Sequence, residues 1–266
     1  QLEAMDVETV LHEPVYAGGH DIRFARAVLG RIRGTDSTRA IAMDAHFDST
    51  PYGPGAADDL AGISAMLETA RALKSGPPLR NDVIFVFADS EEYDGGGAGA
   101  FAEHPWFKDV GVMIGLESRG TSGAAMMFET AAQNGWIIRE MAKSGCQPRA
   151  TSIMYDFYKR LPFASDFNQY KGRLPQDDQR SAGLNIAFVD DFAHYHTWLD
   201  KTENCSLASL QHMGEYCLQL SRHLGALEMD DCRAPDATYF NTLGGHMIVY
   251  PLTWGGPLTQ IGRAHV

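Results

Sequence analysis

Cysteine is scarce in this chain, and long apolar runs are missing. Its four cysteines lie far apart and no two form a C-x-x-C pair, so a cysteine-based zinc site is not expected. They are too few for a disulfide framework at this length. One or two disulfide bonds could still form if the protein lies in an oxidising compartment. The aromatic and apolar run Ala237–Trp254 is too short and too often broken by polar residues to span a membrane, which takes ~20 apolar residues.

Positive charge is also scarce. The 22 lysines and arginines compare with 34 aspartates and glutamates, which gives a formal net charge of -12 and an isoelectric point near 5.2. This balance argues against nucleic acid or an anionic membrane surface as the main partner. It is consistent with a soluble enzyme domain in which some of the acidic groups bind metal.

The chain shows no internal repeat, low-complexity run or linker-like tract that would divide it. With 266 residues and 44% hydrophobic residues, it can bury the core of one large domain. Apolar patterning predicts strands at Ala40–His46, Val83–Ala88, Val110–Leu116, Ala124–Phe128 and Asn185–Val189, and helices at Asp58–Lys74, Ala98–Glu103, Gly135–Lys143 and Ser206–Leu224. This alternation predicts a single α/β domain with a central, mostly parallel mixed β-sheet flanked by helices on both faces.

The pair Glu91-Glu92 follows the predicted strand at 83–88 and precedes a run of glycines. Adjacent carboxylates repel each other, so two at the end of a buried strand call for a cation or a proton. A metal site that uses one carboxylate as a ligand and its neighbour as a general base has this pattern. Two adjacent glutamates without other metal-binding residues nearby, by contrast, more often belong to a solvated acidic loop.

Other residues of metal-binding type lie at comparable positions. His46 ends the first predicted strand, and Asp48 can accept a hydrogen bond from its second ring nitrogen. Asp58 could cap the first helix or bridge two metals with its two carboxylate oxygens. Glu117 and His196 follow later strands. Taken singly, each residue has an ordinary structural explanation.

Ligands bind beyond the carboxyl ends of the strands in parallel sheets, and these side chains are therefore expected to meet there. Zinc accepts nitrogen and oxygen ligands, and two zinc ions roughly 3.5–4 Å apart can share a carboxylate and a water. The set predicts a hydrolytic two-metal site. In it, Glu91 takes a proton from the water and passes it to a leaving amine.

Five stretches resemble family 28 of metallopeptidase clan MH, the co-catalytic di-zinc aminopeptidases. In the family's order they are Ala45–Ser49, Gly55–Gly62, Phe87–Gly97, Leu116–Gly120 and Tyr195–Asp200. The resemblance implies the zinc exopeptidase fold, two zinc ions, and hydrolysis of the N-terminal bond of peptides with a free N-terminus. It implies these ligands: His46 and Glu117 on one zinc, Glu92 and His196 on the other, and Asp58 bridging.

The resemblance also implies roles for residues that hold no metal. Glu91 would be the general base and Tyr195 a hydroxyl donor to the tetrahedral oxyanion, while Asp48 and Asp200 would support the ligands from outside. Many family members carry aspartate where Glu117 stands. The segment Tyr158–Gln179 resembles the family only at Ser165-Asp166-Phe167, so no substrate-facing residue is carried over there.

The segment Tyr239–Pro251 is similar to the stretch that enters the membrane part of the endoplasmic-reticulum and vacuolar membrane peptidases. This implies a zinc peptidase catalytic domain at 1–230, a C-terminal extension at 231–266, and a membrane-anchored protein whose catalytic domain is lumenal or extracytoplasmic. A secreted protein is the alternative. We also expect a longer natural protein, since the chain begins at Gln1 without an initiator methionine, and a foreign tail at Ile261–Val266, which matches a translated sequencing adapter.

Three other functions stay open. Glutaminyl cyclases share this fold but use one zinc and no water, and the presence of both His46 and Glu117 favours two metals. A non-catalytic relative would have lost ligands, whereas every ligand position here is filled. A carboxypeptidase needs a cation for the carboxylate of its substrate. The available cations are Arg119, Lys159, Arg160 and Arg173, and nothing in the sequence places them at the site.

Overall fold

The computed structural model describes residues 1–18, 21–174, 180–257 and 260. The tail at 261–266 and residues 175–179 of the segment discussed above lie outside the described residues. The strands are β1 (Glu8–His12), β2 (Val15–Gly18), β3 (Asp21–Phe24), β4 (Ala27–Ile32), β5 (Ala40–His46), β6 (Val83–Ala88), β7 (Val110–Ser118), β8 (Met126–Thr130), β9 (Ala182–Phe188), β10 (Ala237–Asn241) and β11 (Met247–Pro251). The helices are α1 (Leu60–Lys74), α2 (Gly96–Glu103), α3 (Gly135–Lys143), α4 (Ser152–Tyr158), α5 (Asn168–Lys171) and α6 (Leu207–Gly225).

Within the described residues, seven strands form one mixed sheet in the order β1-β4-β6-β5-β7-β9-β8. The four central strands, β6, β5, β7 and β9, run parallel. The outer strands β1, β4 and β8 pair antiparallel. The central strands are buried along their whole length, as expected when both faces of a sheet are covered.

Two layers of helices cover the sheet. On one face, α1, α3 and α6 pack against alternate residues of β5 such as Ile41 and Met43. On the other face, α2 and α5 pack against Ala40 and Ala42. The arrangement confirms the predicted α/β fold with a mostly parallel mixed sheet and helices on both faces.

Most predicted elements lie where the apolar pattern indicates. β5, β6 and α3 have the predicted bounds, and β7 continues two residues further, to Ser118. The prediction for β8 is shifted, since its pairing with β9 begins at Met126 and not at Ala124. The predicted β9 also begins late, at Asn185, whereas the parallel ladder with β7 begins at Ala182.

Strands β10 and β11, near the end of the described residues, pack against α3 and α4. β10 and β11 form an antiparallel hairpin, and Tyr239 of β10 is buried in the same core cluster as residues of α1, α3 and α6. The side chain of Asn241 donates to the carbonyl of Pro148 at 2.7 Å and accepts from the N–H of Ala150 at 2.7 Å. Along the described part of the chain, no helix combines the length and the apolar character that crossing a bilayer requires.

Candidate metal centre

Two adjacent parallel strands carry the first candidate ligands to the same edge of the sheet. β5 pairs with β7 so that Asp44 lies opposite Gly115. His46 and Glu117 each follow two residues later and therefore lie at the same level and on the same face. Both are buried, with exposed fractions of 1% and 6%.

Asp58 lies in the loop between β5 and α1, and the shape of this loop depends on local backbone constraints. Gly55 has a φ of +70°, and a side-chain carbon there would lie 2.7 Å from the main-chain oxygen of Asp58. Buried Asp200 accepts hydrogen bonds from the N–H groups of Ala57 at 2.7 Å and Asp58 at 3.1 Å. The neighbouring Asp59 instead caps α1. The loop thus leaves the Asp58 carboxylate free to face the histidines.

The two carboxylate oxygens of Asp58 face different histidines. Oδ1 lies 3.3 Å from Nε2 of His46, and Oδ2 lies 3.1 Å from Nε2 of His196. The same His196 nitrogen lies 3.1 Å from Oε2 of Glu92. The ligand atoms form two groups, His46–Asp58–Glu117 and Asp58–Glu92–His196, and within each group they lie within 4.8 Å of one another.

The hydrogen bonding of these groups fits metal ions. Nδ1 of His46 lies 3.0 Å from the main-chain oxygen of Asp48, which can only accept, so this nitrogen carries the proton. In the neutral ring, Nε2 is then an acceptor that faces a carboxylate oxygen of Asp58. Nε2 of His46, Nε2 of His196 and Oε1 of Glu92 are all buried without a hydrogen-bond partner among the described residues. Acceptors that face each other in this way call for a cation, and the mixed nitrogen and oxygen set suits zinc.

Asp48 contacts the site in a different way from the one expected. Its carboxylate Oδ1 lies 3.6 Å from Nδ1 of His46, further than its own main-chain oxygen. The carboxylate instead accepts hydrogen bonds from the N–H groups of Glu91 at 3.1 Å and Glu92 at 3.3 Å. Ser90, just before them, has a left-handed φ of 68° that turns the chain after β6. Asp48 therefore fixes the backbone of the two glutamates.

The carboxyl groups of the site raise one another's pKa values. Burial raises the pKa of Glu91, and the Asp58 and Asp48 carboxylates add to the rise. Burial and Asp58 raise the pKa of Glu92 to about 7. Burial, followed by Glu91, raises the pKa of Glu117 well above its usual value. Carboxyl groups packed so closely retain protons unless a cation offsets their repulsion.

The loop that carries His196 also places Tyr195 beside the ligands. The Tyr195 ring stacks on the His196 ring with a centroid distance of 3.7 Å. His196 has a left-handed φ of 56°, a strained conformation for a residue with a side chain. The hydroxyl of Thr121 and Nδ1 of His194 lie 2.7 Å apart, which ties this loop to the segment after β7. His194 thus contacts Thr121 and belongs to neither ligand group.

Arg119 is the residue at the site that sequence reasoning did not place. Its guanidinium carbon lies 5.5 Å from the Tyr195 ring centroid and 4.4 Å from the Phe163 ring centroid. The only signal in the sequence was its position two residues after Glu117, at the end of a strand. Lys159, another cation considered from the sequence, instead forms an ion pair with Asp156.

Comparison with known proteins identifies the family of this chain. A family model described as Peptidase family M28 matches residues 27–221, well over half of the chain. The chain belongs to peptidase family M28. This confirms the resemblance found in the sequence motifs.

Two relatives share the branch suggested by the C-terminal segment. Endoplasmic reticulum metallopeptidase 1 of Mus musculus is 28% identical over 222 residues, which cover 80% of this chain and 24% of that protein. The vacuolar membrane protease of Eremothecium gossypii is 32% identical over 227 residues, which cover 84% of this chain and 22% of that protein. The M28 chain described here therefore spans less than a quarter of the length of these relatives.

Solved structures share the fold. Glutaminyl cyclase from Tannerella forsythia superposes with a TM-score of 0.63 at 20% identity, over 82% of this chain and 85% of that chain. A zinc-dependent exopeptidase from Parabacteroides distasonis superposes with a TM-score of 0.62 at 19% identity, over 83% of this chain and 86% of that chain. At these identities the similarity establishes the M28-type fold alone.

Proposed function

We propose that this M28 domain is a zinc-dependent aminopeptidase that hydrolyses the N-terminal bond of peptides. The proposal is carried by Asp58, whose two carboxylate oxygens face one histidine each and which belongs to both ligand groups. A carboxylate shared in this way suits two metal ions that lie side by side.

Each ion would have its own ligands in addition to Asp58. His46 and Glu117 would hold one ion, and Glu92 and His196 the other. Bound zinc lowers the pKa of a water molecule and polarises a carbonyl group. Asp48 and Asp200 would keep the ligands in place, because each holds two consecutive main-chain N–H groups of a ligand-bearing loop.

Glu91 would act as the general base. It is adjacent to Glu92, its main chain is fixed by Asp48, and it belongs to neither ligand group. Its carboxylate is therefore available to accept a proton from the attacking water and to deliver it to the leaving amine. The hydroxyl of Tyr195, beside His196, would donate a hydrogen bond to the oxyanion.

A carboxylate-rich site also suits a substrate with a free amine, since the amine is cationic. This favours removal of N-terminal residues. The glutaminyl cyclase of similar fold keeps a second candidate open, a single-zinc acyltransferase that cyclises N-terminal glutamine. The two ligand groups favour hydrolysis, because the cyclase reaction needs one ion.

The whole protein is proposed to be anchored in a membrane, with this domain on the lumenal or extracytoplasmic side. Support comes from relatives that are named for the endoplasmic reticulum and for the vacuolar membrane. A secreted protein remains the alternative location.

Metal counting together with a substrate screen tests the proposed activity. The zinc-loaded domain is assayed on a leucyl peptide, on the same peptide with an acetylated N-terminus, and on a glutaminyl peptide. We expect two zinc ions per chain and hydrolysis of the free-amine peptides only. One zinc ion with cyclisation of the glutaminyl peptide would assign the cyclase reaction, and equal hydrolysis of the acetylated peptide would exclude an aminopeptidase.

A further inference from the structure

A largely apolar cavity of about 160 Å³ opens beside the candidate metal centre. Its walls include Met126 and Phe128 of β8, Leu161 and Phe163 of the loop after α4, and the side chain of Arg119. A cavity of ~150 Å³ is large enough to hold benzene in a protein interior. A substrate side chain about the size of benzene therefore fits in this cavity, beside the candidate metal centre.

The Arg119 guanidinium connects this cavity with the metal centre. Its Nη2 donates to the main-chain oxygen of Ala164 at 3.1 Å, and the group stacks on the Phe163 ring. Its guanidinium carbon also lies 5.5 Å from the Tyr195 ring centroid. Among the residues whose positions are described, no carboxylate forms an ion pair with it. Its remaining N–H groups are thus available to a ligand.

Tyr158 is the second polar group of the cavity. Its ring packs edge-on against Phe128 with a centroid distance of 4.7 Å, and its buried hydroxyl has no hydrogen-bond partner in the described part of the chain. Tyr158 and Arg119 line the same cavity. A buried hydroxyl without a partner is unfavourable, so a ligand that offers an acceptor would be favoured here.

The other candidate cations are already paired. Lys159 forms an ion pair with Asp156 at 2.7 Å, and Arg160 donates to the main-chain oxygen of the same residue at 3.2 Å. Arg173 pairs with Glu103 at 2.5 Å. Of the cations considered from the sequence, Arg119 is therefore the one that the structure brings to the site.

We propose that Arg119 and Tyr158 together bind a carboxylate of the substrate, next to an apolar group seated in the cavity. This rests on the proposed peptidase function. A carboxylate accepts two parallel hydrogen bonds from a guanidinium and has further capacity for a hydroxyl. A wholly apolar occupant would leave the buried Tyr158 hydroxyl without an acceptor, which is unfavourable.

Two sources supply such a carboxylate. It is either the side chain of an acidic N-terminal residue or the terminal carboxylate of a dipeptide. Glu-Leu-amide compared with Gln-Leu-amide isolates the first source, and Leu-Leu compared with Leu-Leu-amide isolates the second. We expect the wild type to prefer the acid in one of these pairs by at least about tenfold in kcat/KM, the usual contribution of a charge-assisted hydrogen bond.

Substitutions at Arg119 and Tyr158 test the two residues. Arg119→Met and Tyr158→Phe should each reduce that preference, mainly through KM, and Arg119→Lys should restore part of it. Tyr158→Phe removes one unpartnered oxygen only, so its fold is retained. Lys159→Met is the matched control, because it removes a neighbouring cation that is paired elsewhere, and its preference should equal that of the wild type. An unchanged acid-to-amide ratio in Arg119→Met for both pairs would overturn the proposal.

A binding measurement separates this inference from the proposed function. Calorimetric titration of the zinc-loaded protein compares hydrocinnamate with hydrocinnamamide, which carry the same apolar group. The acid should bind at least about tenfold more tightly to the wild type and lose this advantage in Arg119→Met. If this difference is found but no peptide is hydrolysed, the site stands and the peptidase function fails. If peptides are hydrolysed but Arg119→Met retains the difference, the ligand binds elsewhere and the carboxylate site is wrong.

Discussion

Asp200 holds Asp58 through the main chain: its Oδ2 accepts the N–H of Asp58 at 3.1 Å while its Oδ1 accepts the N–H of Ala57 at 2.7 Å. The orientation of the shared carboxylate therefore depends on a residue more than a hundred positions away in the sequence. This dependence leads to the first prediction.

Asp200→Ala should weaken zinc binding by about 10–100-fold, the range found when outer partners of metal ligands are removed. Chelator competition measures the affinity. Asp236→Ala is the control, because Asp236 also accepts a main-chain N–H, from Asn134 at 2.9 Å, but lies away from the ligands. Equal zinc affinity in Asp200→Ala and wild type would show that the loop keeps its shape without this residue.

Glu91→Gln should keep both metals and the fold while lowering kcat by about 10²–10⁴-fold, because only the proton carrier is lost. The measurement is steady-state hydrolysis together with metal content. Glu103→Gln, at a surface ion pair with Arg173, serves as the control and should leave kcat unchanged. Near-normal hydrolysis by Glu91→Gln would assign the base to another residue.

His46→Ala and His196→Ala should each lower the zinc content from two ions to one, because the two histidines belong to different ligand groups. Elemental analysis after dialysis measures this change. His246→Ala, in an exposed turn, should retain both ions. If both site variants retained two ions, the division into two groups would be wrong.

Gly55→Ala and Gly214→Ala should change stability in opposite directions. Gly55 has a φ of +70° and its added carbon would meet Asp58 and Ser49 at 2.7 Å, so the substitution should destabilise the fold by ~1–2 kcal/mol or more. Gly214 lies within α6 with open space around it, so alanine should stabilise the helix by ~0.5–1 kcal/mol. Denaturant unfolding of the two variants measures both effects, and a Gly55→Ala protein as stable as wild type would argue against a constrained loop.

The sequence was most informative where burial is complete. β5 and β6 could be predicted to the residue because they are buried, largely apolar runs between polar turns. The bounds of α3 followed instead from apolar residues that recur at helical spacing, such as Ile137, Ile138 and Met141. The antiparallel edge strand β1 and its neighbour β4 were missed. β1 is partly exposed, so its composition is mixed, and its position depends on pairing with a distant strand.

The candidate ligand positions could be proposed from the sequence because each ends or follows a predicted strand or opens a predicted helix. The contact of Asp48 was not, since its carboxylate accepts from main-chain N–H groups that follow the left-handed Ser90, and the sequence carries no signal for main-chain partners. Arg119 could not be placed either. Its position depends on Phe163, which comes from a loop with no periodic pattern.

The two ligand groups differ in their access to solvent. The side chain of His46 is 1% exposed, whereas that of His196 is 35% exposed. Ions at these positions should therefore exchange at unequal rates, with the one beside His196 leaving first and returning first. A partially loaded preparation would then contain a homogeneous one-ion species, and activity would rise with the second equivalent of zinc.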